Sequence, residues 1–375
     1  MGLGEMAINK IVIAGYYGFA NLGDEAILAV LIYHLKKNFP RSELIVLSGN
    51  PALTAHQYRV KSIGRWNLWQ IRQAIKESTS FVLGGGGLLQ DKTSQRSLFY
   101  YLGLLRWARA YRKPIYLIGQ GIGPLVRRSS KRLVSSVLSN AQCILVRDSE
   151  SYLELCEMGL SEEKLLQGED LALLAPQLFP PVHQSKNQKK HILIAPRPGL
   201  TLHALESLGL SLDTMAQEKE SNVMIAPFFR RADLSSAQAL ARTLKTPVRI
   251  TAEMENNPNT MINLLTQSEF VVGMRLHSLI LALAVGVPFI AISYDQKMDR
   301  FVRKVEVAMA SGVKLPLWSV AAFDTALMKT DLKETFQYAR SWKSHFANAR
   351  QTLVTKAERS LTQAIHLMRE ETHII

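Results

Sequence analysis

The sequence predicts an α/β protein built from two Rossmann-like domains, and three observations carry that prediction. Short β-branched strands alternate with longer helical patterns from residue 10 to about residue 330, the pattern of parallel βαβ units. In the first half, strands end in glycine-rich or polar turns: GYYG at 15–18, GGGG at 84–87, GQGIG at 119–123 and RDS at 147–149. Such turns mark the carboxyl edge of a sheet, where ligands gather. Between 179 and 190 the composition changes to FPPVHQSKNQKK, a polar, proline-bearing linker. The expected organisation is therefore an N-terminal domain over 1–178, a linker over 179–190, a C-terminal domain over 191–330 and a helical segment over 331–375 that packs back on the first domain.

Residues 10–14, KIVIA, form the first strand, and a helix follows to about Asn38. The spacing of Gly15, Gly18 and Gly23 fits neither G-x-G-x-x-G nor a P-loop, because Asp24 and Glu25 stand where Lys and Ser would. Carboxylates there either favour the helix dipole or accept hydrogen bonds from sugar hydroxyls. Leu44–Leu47 is the second strand, and a less regular region with Trp66 and Trp69 follows it. Phe81–Leu83 is the third strand. Its four following glycines permit a close approach by a ligand or another strand; a tight crossover packed under the following segment is the plainer alternative. Gln90 and Asp91 lie just beyond, before a helix from Gln95 to Tyr111.

Pro114–Ile118, a helix from Ser129 to Asn140 and the strand Cys143–Val146 repeat the arrangement. Arg147 then sits where an anion would bind, or pairs with Asp148 at the surface. After the linker, His191–Ala195, Val223–Ala226 and Val248–Ile250 are strands separated by helices, and a long helical pattern runs from about Leu332 to Arg369.

The stretch Phe270–Phe301, FVVGMRLHSLILALAVGVPFIAISYDQKMDRF, organises the second domain. It reads as strand, turn, buried helix, strand and loop. Arg275, His277 and Ser278 crowd the first turn of a helix that is otherwise apolar. A helix N-terminus attracts phosphate or carboxylate, and Arg275 could add a bidentate clamp. A core histidine and a surface arginine are the plainer alternative. Tyr294, Asp295, Lys297, Asp299 and Arg300 follow the next strand, so Lys297 and His277 can share a crevice.

Composition sets limits. Hydrophobic residues make up 47% and charged residues 20% of the 375, as in ordinary globular proteins. No apolar run is long enough to span a bilayer, and no signal-peptide core precedes Asn9 and Lys10, so the expected location is cytoplasmic. Cys143 and Cys156 lack a metal-binding spacing and are read as reduced thiols. A net charge of +14 raises anionic membrane, acidic substrate and nucleic acid as partners; no recognised nucleic-acid motif accompanies it, so nucleic acid is not expected.

Together, GYYGFANLGDEAIL at 15–28, GGGGLLQD at 84–91, GQGIGPL at 119–125, VRDSES at 146–151 and GMRLHSLILALAVGVPFIAISYDQKMDRF at 273–301 resemble the polysaccharide pyruvyl transferases, specifically the cell-surface-polymer type often called CsaB. APFFRRADL at 226–234 is more basic than the family pattern, and GEDLALL at 168–174 matches it loosely. The resemblance implies a GT-B-like pair of Rossmann domains facing a central cleft. It also implies transfer of the enolpyruvyl group of phosphoenolpyruvate to a sugar of a cell-surface polysaccharide, or of its lipid-linked precursor, giving a pyruvate ketal and phosphate. Arg147, His277 and Lys297 match family positions implicated in catalysis or donor binding. Arg275, Ser278, Arg197 and Lys297 are then expected on the donor, and Asp24, Glu25, Gln90, Asp91 and Gln120 on the acceptor. Neither a cofactor nor a metal is expected, and peripheral contact with the inner face of an anionic plasma membrane fits the charge. A GT-B glycosyltransferase using a nucleotide sugar is the competing enzyme, and a basic nucleic-acid or membrane-surface binding protein the competing non-enzyme.

Overall fold

The structure, a computed structural model, describes residues 9–92, 94–179, 191–219, 221–251, 257–321 and 325–372. From residue 180 on, the expected linker lies outside the described residues. The chain divides into two compact units, one holding residues 1–19, 24–171 and 356–375, the other 20–23 and 172–355.

The first unit contains β1 (Lys10–Ala14), α1 (Leu22–Asn38), β2 (Glu43–Ser48), α2 (Pro51–Tyr58), β3 (Lys61–Gly64), α3 (Leu68–Glu77), β4 (Ser80–Leu89), α4 (Gln95–Ala110), β5 (Ile115–Ile122), α5 (Arg128–Leu138), β6 (Cys143–Val146), α6 (Ser149–Glu157) and β7 (Leu165–Gln167). The strands are parallel in the order β3-β2-β1-β4-β5-β6-β7. Buried runs such as ELIVLS and CILV are apolar on both faces, as a sheet covered by helices on each side requires. The order reverses between β1 and β4, so their carboxyl ends flank the switch point.

After α7 (Ala175–Leu178), the second unit runs through β8 (His191–Ala195), α8 (Leu202–Lys219), β9 (Asn222–Ile225), α9 (Arg230–Thr243), β10 (Val248–Ile250), α10 (Pro258–Thr266), β11 (Ser268–Gly273), α11 (Leu276–Ala284), β12 (Phe289–Ser293), α12 (Gln296–Met309), β13 (Leu317–Ser319) and α13 (Thr325–Thr372). Its parallel sheet is ordered β10-β9-β8-β11-β12-β13, with the switch point between β8 and β11. Both sheets are therefore Rossmann-like, and their separate cores are filled chiefly by strand and helix aliphatics. Within the first unit the end of α13 buries Ala357, Leu361, Ala364, Ile365 and Met368, a helical stripe, while Tyr116 donates to Glu371 at 2.9 Å.

Some elements differ from the sequence expectation. β4 and β5 do not end before their glycines but continue through them, paired at Gly84 with Ile118 and at Gly86 with Gln120. The region around Trp66 and Trp69 is regular, holding α2, β3 and α3. β3, β7 and β13 are edge strands of three or four residues without a fully buried apolar run, so periodicity does not reveal them.

Candidate functional site

In the second unit, the residues singled out from sequence collect at the carboxyl edge. Arg197 follows β8, Arg275 is the N-cap of α11, His277 and Ser278 lie in that helix's first turn, and Lys297 opens α12. Arg275 contributes no side-chain cap to α11. Its guanidinium turns to Asp233, which receives Nε at 3.1–3.2 Å and Nη2 in a closer contact. Asp233 is fully buried and also accepts from the Phe229 N–H at 2.8 Å. A ligand anion at Arg275 would thus share the guanidinium with Asp233. Arg197 lies over the Tyr294 ring, 3.3 Å from its centroid, and its buried Nε has no hydrogen-bond partner among the described residues. Burial and the neighbouring Arg275 hold the Arg197 pKa below the ordinary arginine value, against the pull of Tyr294, Asp233 and Asp295. The Arg197 guanidinium is therefore partly desolvated beside a second cation, Arg275.

Ser278 closes the helix start: its Oγ donates to the Arg275 carbonyl at 2.6 Å, and its N–H to the same oxygen at 2.9 Å. Gly273 permits this, since a Cβ there would lie 2.5 Å from Ser278 Oγ. Asp295 caps α12 by accepting from the Lys297 N–H at 3.0 Å, fixing the start of the helix from which the Lys297 side chain projects.

His277 is fixed by a feature that sequence reading missed. Residues 20–23 belong to the second unit: Asn21 bridges Phe229 in antiparallel fashion, and Leu22 N–H donates to the Phe228 carbonyl at 2.9 Å. This places Gly23 directly on the His277 imidazole, where a Cβ would overlap Nδ1 and Cγ. The third glycine of the first loop therefore makes room for histidine rather than phosphate. Its failure to fit a phosphate-binding spacing is the signal that pointed away from a cradle.

The first unit gathers a different set. Arg147 is 7% exposed and donates to Asp170 at 2.9 Å, with Asp148 3.6 Å away. The Asp148 pairing that sequence offered as the alternative is present, but Arg147 is buried rather than at the surface and shares its charge with Asp170 as well. Burial disfavours its charge, but Asp170, Asp148 and Asp24 together raise its pKa. Its guanidinium packs against Gly121, where a Cβ would meet Nε at 2.7 Å. The glycines of β4 serve packing as well: Gly84 makes room for the Tyr17 hydroxyl, and a Cβ on Gly85 would come within 2.8 Å of the Gly119 carbonyl oxygen. The motif lies within β4 and brings its backbone close to β5, so the close approach is to another strand and no crossover occurs there.

The other expected acceptor residues are mostly engaged within the protein. Asp91 accepts from the Val126 and Arg127 N–H groups at 2.7 and 3.1 Å, capping the approach to α5. Glu25 accepts from Gly18 N–H at 2.7 Å and Tyr58 hydroxyl at 2.9 Å, while burial pushes its pKa up. Gln120 is fully buried and donates to the Leu83 and Gly84 carbonyls. Asp24 is buried beside Gly86, whose Cβ would lie 3.2 Å from its Oδ1, and Gln90 is half-buried beyond β4. Asp233 and Asp170, the two carboxylates that hold the arginines, went unrecognised because each partner is far away in sequence.

The model of the family described as polysaccharide pyruvyl transferase matches residues 21–296. The amylovoran biosynthesis protein AmsJ of Erwinia amylovora is 24% identical over 254 residues, covering 61% of this chain and 60% of that protein. The alignment thus spans less than two thirds of that relative's length. Among solved structures, the UDP-GlcNAc 2-epimerase from Neisseria meningitidis bound to UDP-GlcNAc is 14% identical with a TM-score of 0.62, covering 95% of this chain and 99% of that one. Anabaena HepE in complex with UDP-glucose is 15% identical with a TM-score of 0.58, covering 96% and 99%. At these identities the likeness concerns the fold alone, a GT-B-like pair of Rossmann-like units.

Proposed function

Because this chain belongs to the polysaccharide pyruvyl transferase family, we propose that it transfers the enolpyruvyl group of phosphoenolpyruvate to a saccharide acceptor, forming a cyclic pyruvate ketal. The observation that carries the reading is the carboxyl edge of the second sheet, where Arg197, whose buried Nε has no hydrogen-bond partner among the described residues, and Arg275 flank the α11 start that bears His277. Phosphoenolpyruvate carries a phosphate and a carboxylate, so it suits a cationic, partly desolvated site beside a helix N-terminus. Arg197, Arg275 and Lys297 hold the donor, and Ser278 keeps the helix start in place.

The chemistry needs proton transfers and charge stabilisation. Protonation of the donor's methylene carbon makes C2 electrophilic, and one sugar hydroxyl adds there as it loses its proton. The C2–O bond to phosphate then breaks, phosphate leaves with the bonding pair, and a second hydroxyl adds to C2 to close the ketal as its proton passes to the departing phosphate. His277 is the proton-transfer group. Gly23 sets its ring position, and Arg147, held by Asp170, orders the carboxyl edge of the first unit on the acceptor side. The acceptor is a sugar of a cell-surface polysaccharide or its lipid-linked precursor, modified in the cytoplasm.

The test is incubation with phosphoenolpyruvate and a panel of free and lipid-linked saccharides, following phosphate release and product mass. Phosphate release coupled to a pyruvate-ketal mass increment is the expected result. Consumption of a nucleotide sugar with glycosyl addition, and no use of phosphoenolpyruvate, would replace this reading with glycosyl transfer.

A further inference from the structure

The chain's positive charge is concentrated in one segment. Residues 44–147 contain sixteen Lys and Arg against two carboxylates, Glu77 and Asp91, which equals the net +14 of the whole chain; the remaining 29 basic and 29 acidic residues cancel. This segment supplies α3, α4 and α5, which pack in sequence beside one another and share one core cluster with the first sheet. Arg72, Lys76, Arg96, Arg106, Arg109 and Arg128 are exposed on this layer.

The same layer exposes apolar side chains at one end. Trp66 and Trp69 are 74% and 75% exposed, and Leu68, Phe99 and Val126 are exposed as well. They account for five of the seven large apolar residues exposed among the described residues of the first unit. Trp66, Leu68 and Trp69 flank the start of α3, Phe99 lies early in α4, and Val126 immediately precedes the N-cap of α5. In a parallel α/β sheet these helix starts all lie at the carboxyl edge. Trp66 is oriented by contacts with Tyr100 and the Arg65 guanidinium, at 5.6 and 5.0 Å, and still faces solvent.

We infer that this face docks on an anionic phospholipid bilayer, with Trp66, Leu68, Trp69, Phe99 and Val126 entering the headgroup region and the basic layer lying over the charged surface. Tryptophan and aliphatic side chains beside a field of Lys and Arg suit an interface that is anionic outside and apolar beneath. Leu68 and Val126 offer nothing to a nucleic-acid base, whereas both suit acyl chains. The inference does not depend on the transfer reaction proposed above, since it concerns residues outside the donor site and a binding readout without substrate.

The experiment is flotation of the full chain with vesicles of phosphatidylcholine alone, or with about one third phosphatidylglycerol. Strong binding to the anionic vesicles, a weaker response to neutral ones and a blue shift of tryptophan emission are expected. Trp66→Ser/Trp69→Ser should reduce partitioning at least about tenfold at constant salt, with circular dichroism and Tm unchanged. Arg106→Gln/Arg109→Gln should weaken binding and flatten its salt dependence. Absence of flotation with anionic vesicles would overturn the inference. So would flotation insensitive to the tryptophan substitutions, or duplex DNA binding tighter than vesicle binding through the same arginines.

Discussion

At the residue scale, two histidines are held by close neighbours, His277 by Gly23 and His191 by Ser268. His277 rests on Gly23, so Gly23→Ala would displace the imidazole without removing it. The expected result is a fall in kcat of roughly 10²- to 10⁴-fold, comparable with His277→Ala, and a lowered Tm with the fold retained, because His277 Cβ as well as the ring must shift. Steady-state kinetics and thermal melts measure both; parent-like turnover in Gly23→Ala would remove the positioning role. His191 gives a separate pH signal. It is buried with its Nε2 3.0 Å from Ser268 Oγ, and burial lowers its pKa to about 4, below the ordinary 6.5. Above pH 6.5 neither folded nor unfolded chain protonates it, so its contribution to stability is fully present there. As pH falls from 6.5 toward 4 the unfolded chain takes up the proton first, and stability drops by about 2 kcal/mol. Urea denaturation across that window should show the slope, and His191→Leu should reduce it. Arg275, His277, Arg147 and Lys297 were legible in the sequence because polarity stood out in or after apolar elements. Asp233, Asp170 and Gly23 were not, because a contact partner distant in sequence leaves no local mark.

At the scale of elements, alternation of short apolar strands with helices revealed most of both sheets. The glycine runs misled on strand ends, since glycine normally weakens a strand. Here β4 and β5 need it: the backbones approach so closely that a Cβ on Gly85 would lie 2.8 Å from the Gly119 carbonyl oxygen and 2.9 Å from Ile27. Gly85→Ala should therefore destabilise the first unit by about 1–3 kcal/mol, through overpacking rather than loss of a ligand contact. A shifted urea midpoint with donor affinity unchanged is the expected pair of results; unaltered stability would contradict the close-packing account. The edge strands β3, β7 and β13 escaped sequence reading for the opposite reason, having too few buried residues to impose a period.

At the scale of the whole molecule, the two units divide the chemistry unequally. The second presents cations at its switch point, whereas the first encloses Arg147 among carboxylates and commits Asp91 and Glu25 to its own N–H and hydroxyl groups. Donor recognition is accordingly proposed for the second unit. The most direct measurement of that claim is calorimetric titration of phosphoenolpyruvate without acceptor, into the parent protein, Arg197→Met, Lys297→Met and Asp24→Asn. The account predicts a Kd raised roughly 10- to 100-fold in each of the first two variants, the loss of one charge-assisted hydrogen bond, and little change in the third. Parent-like affinity in both Arg197→Met and Lys297→Met, or a large donor defect in Asp24→Asn, would contradict it.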